Sequence, residues 1–175
     1  MNMPDYSKIK LIILDVDGTL TDGGIYYDSL GNEIKRFDVK DGLGIKVALA
    51  AGLEFAIITG RKSLMVERRA KELGIRHLLT GVQMKLPALK QLVADLRISP
   101  DQICYFGDDW NDLQSMEYSG ICMCPNDAAD EVKELCHFVA KKNGGAGAVR
   151  ECLQHLLQNR NQWNMCARKI YFVEE

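Results

Sequence analysis

No stretch of this sequence is long and apolar enough to suggest a bilayer span: the longest hydrophobic runs, Leu11-Ile12-Ile13-Leu14 and Phe55-Ala56-Ile57-Ile58, fall far short of one. No basic stripe dominates any element and the formal charge is −2, so nothing points to nucleic acid. Met1 to Lys10 is polar and mixed, unlike a secretory signal peptide. Six cysteines occur without one Cys-x-x-Cys pair, so a structural zinc site would lack its second pair of ligands. They read instead as small buried residues in a reduced compartment, and the expected localisation is cytoplasmic. The three histidines are scattered and read as surface or packing residues, and no internal repeat or low-complexity segment breaks the chain.

What is present is the composition of one soluble globular domain: 175 residues, 47% hydrophobic and 26% charged. Apolar runs alternate with amphipathic stretches. Ile9 to Asp15 predicts a buried strand of a parallel sheet, ending in a carboxylate. Gly24 to Tyr27 and Glu33 to Asp38 predict a hairpin, and Gly42 to Ala51 a helix stopped at Gly52. Strands are then expected at 54–59, 76–79, 102–107, 121–124 and 137–139. The intervening helices are expected at 63–73, 85–96, 111–119 and 128–135, with a last one at 147–158. The predicted domain is 1–158, followed by a C-terminal tail, 159–175, to which the pattern assigns no structure.

Asp15, Thr59 and Asp108 each stand at a strand end, where ligands bind in open α/β sheets, and Lys85 reaches the same edge from the start of the helix after the 76–79 strand. Asp15 and Asp17 straddle a strand-to-loop exit, and two carboxylates in one pocket repel unless a cation lies between them. A hard ion such as Mg2+ suits that donor set, with Asp108 as a third acidic ligand and Asp109 and Asp112 as possible support. A carboxylate can attack phosphorus and split one hard substitution into two easier ones. Asp15 is then the candidate nucleophile, and Asp17 the proton donor to the leaving oxygen and later the base toward water. Thr59, the Gly60 N–H and the Lys85 ammonium supply donors to a phosphoryl group.

DVDGTLTDG, Thr59-Gly60-Arg61, Lys85 and GDDWND together resemble the four motifs of the haloacid dehalogenase superfamily. The resemblance implies a Rossmann-like parallel sheet with helices on both faces, and roles for Asp15, Asp17, Thr59 and Lys85 as above. It places Mg2+ on Asp15, the backbone carbonyl of Asp17, and Asp108. The hairpin residues Gly24 to Asp28, Lys40 to Ile45, Ile58-Thr59-Gly60-Arg61-Lys62-Ser63, Val66 to Ala70 and Gly144 to Glu151 narrow it. They resemble the 3-deoxy-D-manno-octulosonate 8-phosphate phosphatases over about Leu11 to Leu157. That group implies lipopolysaccharide precursor chemistry, a capless domain with a β-hairpin insertion, and a homotetramer whose hairpins help close a neighbour's site. It also implies a flexible glycine-bearing C-terminal segment that reaches the site. The short spacings from Asp17 to Thr59 and from Thr59 to Asp108 independently leave no room for a cap.

Arg61 is the candidate contact for a substrate carboxylate or phosphate and Arg69 a second one, although either also reads as a charge on a helix surface. Met84 stands where the family commonly has an acid before its lysine. The alternatives are a phosphatase of a nine-carbon sialic-acid-type phosphate, or a non-catalytic oligomerising module like the domain attached to some cytidylyltransferases. The complete acidic set argues against the module.

Overall fold

The computed structural model describes residues 4–172. Strand β1 (Leu11–Leu14) is followed by the two short hairpin strands β2 (Tyr26–Tyr27) and β3 (Glu33–Ile34) and helix α1 (Val39–Ala50). The alternation continues as β4 (Glu54–Ile58), α2 (Leu64–Leu73), β5 (His77–Leu79), α3 (Lys85–Leu96), β6 (Ile103–Phe106) and α4 (Leu113–Tyr118). It closes with β7 (Ile121–Cys124), α5 (Asp130–Leu135), β8 (Phe138–Val139), α6 (Ala148–Asn159) and α7 (Trp163–Tyr171). The main sheet is parallel throughout, in the order β5-β4-β1-β6-β7-β8, with β1 central between β4 and β6.

Every side chain of β1 is buried, because alternate residues enter different cores. Ile12 and Leu14 pack with α1, α2, α6 and α7, whereas Leu11 and Ile13 pack with α3, α4 and α5. Each such aliphatic side chain contributes about 1.5–3 kcal/mol, so the strand that carries Asp15 is anchored from both faces.

Local chemistry sets the helix ends. The Ser63 hydroxyl accepts the Val66 N–H at 3.4 Å to open α2, and Gly74, at φ 82°, closes it. Helix α1 begins at Val39 rather than at Gly42, because the Asp38 carboxylate accepts the Lys40 N–H at 2.6 Å. The hairpin strands are correspondingly shorter than the pattern suggests.

The stretch after α6 forms α7, whose Trp163 and Cys166 are buried in the main core. Arg160 ties this stretch to the start of the chain by donating to the Ile9 carbonyl at 2.6 Å.

Candidate active site

The chain leaves β1 through a tight turn in which the Thr21 N–H donates to the Val16 carbonyl at 2.9 Å. Gly18 adopts φ +97°, and a Cβ on it would lie 1.9 Å from Asp108 Oδ2. Glycine is required there on two counts, the left-handed backbone and the approach of a carboxylate. Thr19 donates its hydroxyl to Asp108 Oδ1 at 3.0 Å, so the turn after β1 and the loop after β6 are held together.

Lys85 is buried at the first position of α3 and reaches across the strand ends. Its ammonium donates to Asp15 Oδ1 at 2.6 Å and to Asp112 Oδ1 at 2.8 Å. Asp112 is fully buried and also accepts the Tyr105 hydroxyl at 2.7 Å. Asp15, Asp108 and Asp112 each offer an oxygen, and these oxygens lie within 4.8 Å of one another. Burial and then the Asp112 charge raise the Asp15 carboxyl well above the ordinary range, against the pull of Lys85. The same two causes push Asp108 up to about 7. Burial pulls the Lys85 ammonium down, but its two carboxylate partners outweigh that and leave it raised.

Of the residues singled out from sequence, Asp15, Asp17, Thr59, Gly60, Arg61 and Asp108 line one cavity of about 430 Å³, with Lys85 gripping Asp15 beneath it. Trp110 is largely exposed and lines the same cavity rather than packing in the core. The Asp17 carboxylate stands outside the acidic cluster and pairs with the buried Lys35 ammonium. Arg69 is not among the cavity residues. Its guanidinium donates to Glu72 at 3.4 Å and to the Asp38 carbonyl at 3.5 Å, and lies over Phe37, because α2 turns this face toward α1.

Several site-building residues escaped the sequence reading. Glu33 accepts the Ser63 hydroxyl and lies 3.6 Å from Lys35 and 3.7 Å from Arg61, while Arg61 donates to the Tyr27 hydroxyl at 3.3 Å. The hairpin therefore wires itself to Asp17 and to the start of α2. Glu33 and Lys35 stand two apart, on one face of the hairpin strand and its continuation, which is the one sequence signal that could have exposed them. The Gly144–Gly147 run, expected as a reaching segment, is packed. A Cβ on Gly144 would lie 1.8 Å from the Gly18 carbonyl oxygen, and the Gly145 N–H donates to the Thr19 carbonyl at 3.2 Å.

The donor set fits a hard divalent cation: clustered carboxylates, largely buried, two of them with raised pKa values that a dication would pull back down. Among the described residues no helix is long and apolar enough to cross a membrane.

A family model for haloacid dehalogenase-like hydrolases matches residues 80–153. The 3-deoxy-D-manno-octulosonate 8-phosphate phosphatase of Escherichia coli strain B is 44% identical over 155 residues, 89% of this chain and 82% of that one. The crystal structure of the Moraxella catarrhalis enzyme of that name, in complex with magnesium, phosphate and KDO, has a TM-score of 0.90 at 40% identity. The match covers 94% of this chain and 97% of that one. A cobalt-bound counterpart from Haemophilus influenzae has a TM-score of 0.85 at 38% identity, covering 89% and 91% of the two chains. At that identity and coverage, this chain belongs to the 3-deoxy-D-manno-octulosonate 8-phosphate phosphatase family of haloacid dehalogenase-like hydrolases.

Proposed function

We propose that the chain hydrolyses 3-deoxy-D-manno-octulosonate 8-phosphate to the free sugar acid and phosphate, with Mg2+ as cofactor, in the supply of lipopolysaccharide precursors. The observation that carries this reading is the Asp15 carboxylate, held by Lys85 at the sheet edge and facing a cavity that also contains Asp17 and Arg61. Mg2+ held by Asp15, Asp108 and the Asp17 carbonyl would neutralise the substrate phosphate and let it approach a carboxylate.

The other steps belong to the chain's own residues. An Asp15 oxygen forms a bond to phosphorus as the ester P–O bond breaks, and Asp17 gives the departing alkoxide its proton. The Asp17 carboxylate then takes a proton from water, whose oxygen attacks the phosphoryl group and returns Asp15 as carboxylate. Lys85 fixes the Asp15 carboxylate throughout, and Thr59 and the Gly60 N–H bind the phosphoryl oxygens. At the cavity, the buried Arg61 Nε has no protein partner, which leaves a donor for a substrate carboxylate. The similarity to the eight-carbon phosphatases is what favours the eight-carbon acid over the nine-carbon one.

The assembly is a homotetramer in the cytoplasm. Ile25, Tyr26, Tyr27, Leu30 and Ile34 expose apolar surface on the two-stranded hairpin, a surface that a second copy would cover. All six cysteines are free thiols, in keeping with a reducing compartment.

Magnesium-supplemented protein should release phosphate from the eight-carbon ester far faster than from a nine-carbon sugar-acid ester or an aryl phosphate. Equal turnover of the three would refute the specificity, and no turnover of any would leave the oligomerising module. Asp15→Asn should abolish turnover with the fold and the oligomer unchanged. Light scattering at micromolar concentration checks the tetramer, and a monomer would refute it.

A further inference from the structure

On the α1/α6 side of the molecule lies a second cavity of about 460 Å³ that shares no lining residue with the acidic one. Lys40, Lys141, Lys142 and Arg150 line it, and the only carboxylate among its lining residues is that of Glu151. None of the four cations makes a salt bridge among the described residues. Glu151 Oε2 accepts the backbone N–H groups of Lys141 and Lys142, at 3.0 and 3.1 Å, so its single charge is held at the edge of the group and offsets only one of the four cations. In a chain of net charge −2, four cations facing one lining carboxylate, with Asp41 buried behind Arg150, leave a local excess of positive charge. A low-dielectric wall focuses such a field on the cavity.

The cations are placed in two ways. Arg150 is held rigidly: its guanidinium lies 4.4 Å from the Trp163 ring centroid, and its Nε donates to Gln154 at 3.3 Å. Its two remaining nitrogens stay available for a bidentate contact. The three lysines are exposed, compact charges on flexible stems. The first turn of α6 plays no direct part, since the Arg150 N–H there donates to the buried Asp41 carboxylate at 2.7 Å.

We propose that this cavity binds a small molecule bearing a diphosphate group, independently of the metal and of the acidic site. One fork and three point charges match a group with several negative oxygens better than a monoanion. The volume is that of a small-molecule site. The inference does not rest on the phosphatase reading, since it concerns different residues and needs no divalent ion.

The test is isothermal titration of the full-length protein with inorganic pyrophosphate, with EDTA present and ionic strength held constant. Without metal the acidic cavity repels the probe, so binding reports the basic one. Saturable binding with a Kd below about 1 mM is expected. It should weaken by about 10-fold for each ammonium removed in Lys141→Gln and Lys142→Gln, and be unchanged in Asp15→Asn. Arg150→Gln should weaken it further, but the two lysines are exposed, so their variants keep the fold and decide the matter alone. Absence of binding up to about 10 mM would overturn the proposal. So would equal affinity in the Lys141→Gln/Lys142→Gln double variant, or loss of binding in Asp15→Asn.

Discussion

The Lys35 ammonium is buried against the Asp17 carboxylate, so the hairpin holds a residue of the acidic cavity in place from within the same chain. Lys35→Met would leave Asp17 free to rotate away from the leaving oxygen. A misplacement of about 1 Å can cost about 100-fold in rate. The expected result is a fall in kcat of roughly 10- to 100-fold with KM nearly unchanged, and partial recovery in Lys35→Arg. Steady-state kinetics on the eight-carbon ester with saturating Mg2+ would check it; a change confined to KM would mean that Lys35 binds substrate and does not position Asp17.

Gly18 makes a sharper case, because the space for a side chain is already filled by Asp108. Gly18→Ala forces a methyl group onto that carboxylate and puts alanine at φ +97°. The backbone term alone is about 1–2 kcal/mol. Displacing Asp108 should also remove the stabilisation that Mg2+ gives the wild-type chain. Thermal unfolding with and without Mg2+ reads this directly: the variant should show little or no metal-dependent shift. A shift as large as that of wild type would mean that Asp108 is dispensable to the metal.

The contrast between Lys85 and Lys35 explains how much of the molecule was legible in the sequence. Asp15, Thr59, Lys85 and Asp108 sit at the junctions of strands and helices, and the period of the flanking apolar residues marks those junctions, so both their places and their convergence could be read. The order of elements followed for the same reason, down to Lys85–Leu96 and Ile121–Cys124. Lys35 and Glu33 stand on a hairpin with little core of its own, where no apolar period says which way a side chain points. Arg69 lies outside the cavity for the opposite reason: its helix was evident, but the face it presents depends on the packing of α2 against α1. Helix α7 was hidden because no side chain caps its start and its stretch mixes polar with aromatic residues, while Trp163 and Cys166 are buried only through packing on α1 and α6.

Lys85 separates two carboxylates that burial would otherwise set against each other. Removing one member of a buried ionic set costs about 3–5 kcal/mol, because the remaining charges lose their compensation. Lys85→Met should therefore lower the melting temperature of the metal-free protein by roughly 10 °C. The double variant Lys85→Met/Asp112→Asn should recover part of that loss while remaining inactive. A double variant no more stable than the single one would show that the loss comes from packing of the lysine stem and not from the unpaired Asp112 charge.

Asp41 gives the fold a pH dependence of its own. It is buried on α1, accepts the Arg150 N–H through Oδ1 and leaves Oδ2 unpartnered. Burial is the main cause that raises its pKa to about 6; Asp38 adds to it, while the backbone N–H groups of Arg150 and Gly147 and the Arg69 charge pull the other way. An acid whose pKa is raised on folding holds its proton in the folded chain where the unfolded chain has already released it. Its contribution is thus fully present below pH 4 and is lost as pH rises toward and through about 6. The shift corresponds to about 2 to 3 kcal/mol across that window. Asp41→Asn keeps the Oδ1 acceptor but cannot ionise. Its stability relative to wild type should rise by that amount between pH 4 and pH 7, whatever constant penalty the buried amide adds. Urea unfolding of both proteins at several pH values, at fixed saturating Mg2+, measures the difference. Two curves that stay parallel from pH 4 to pH 7 would place the titration elsewhere than Asp41.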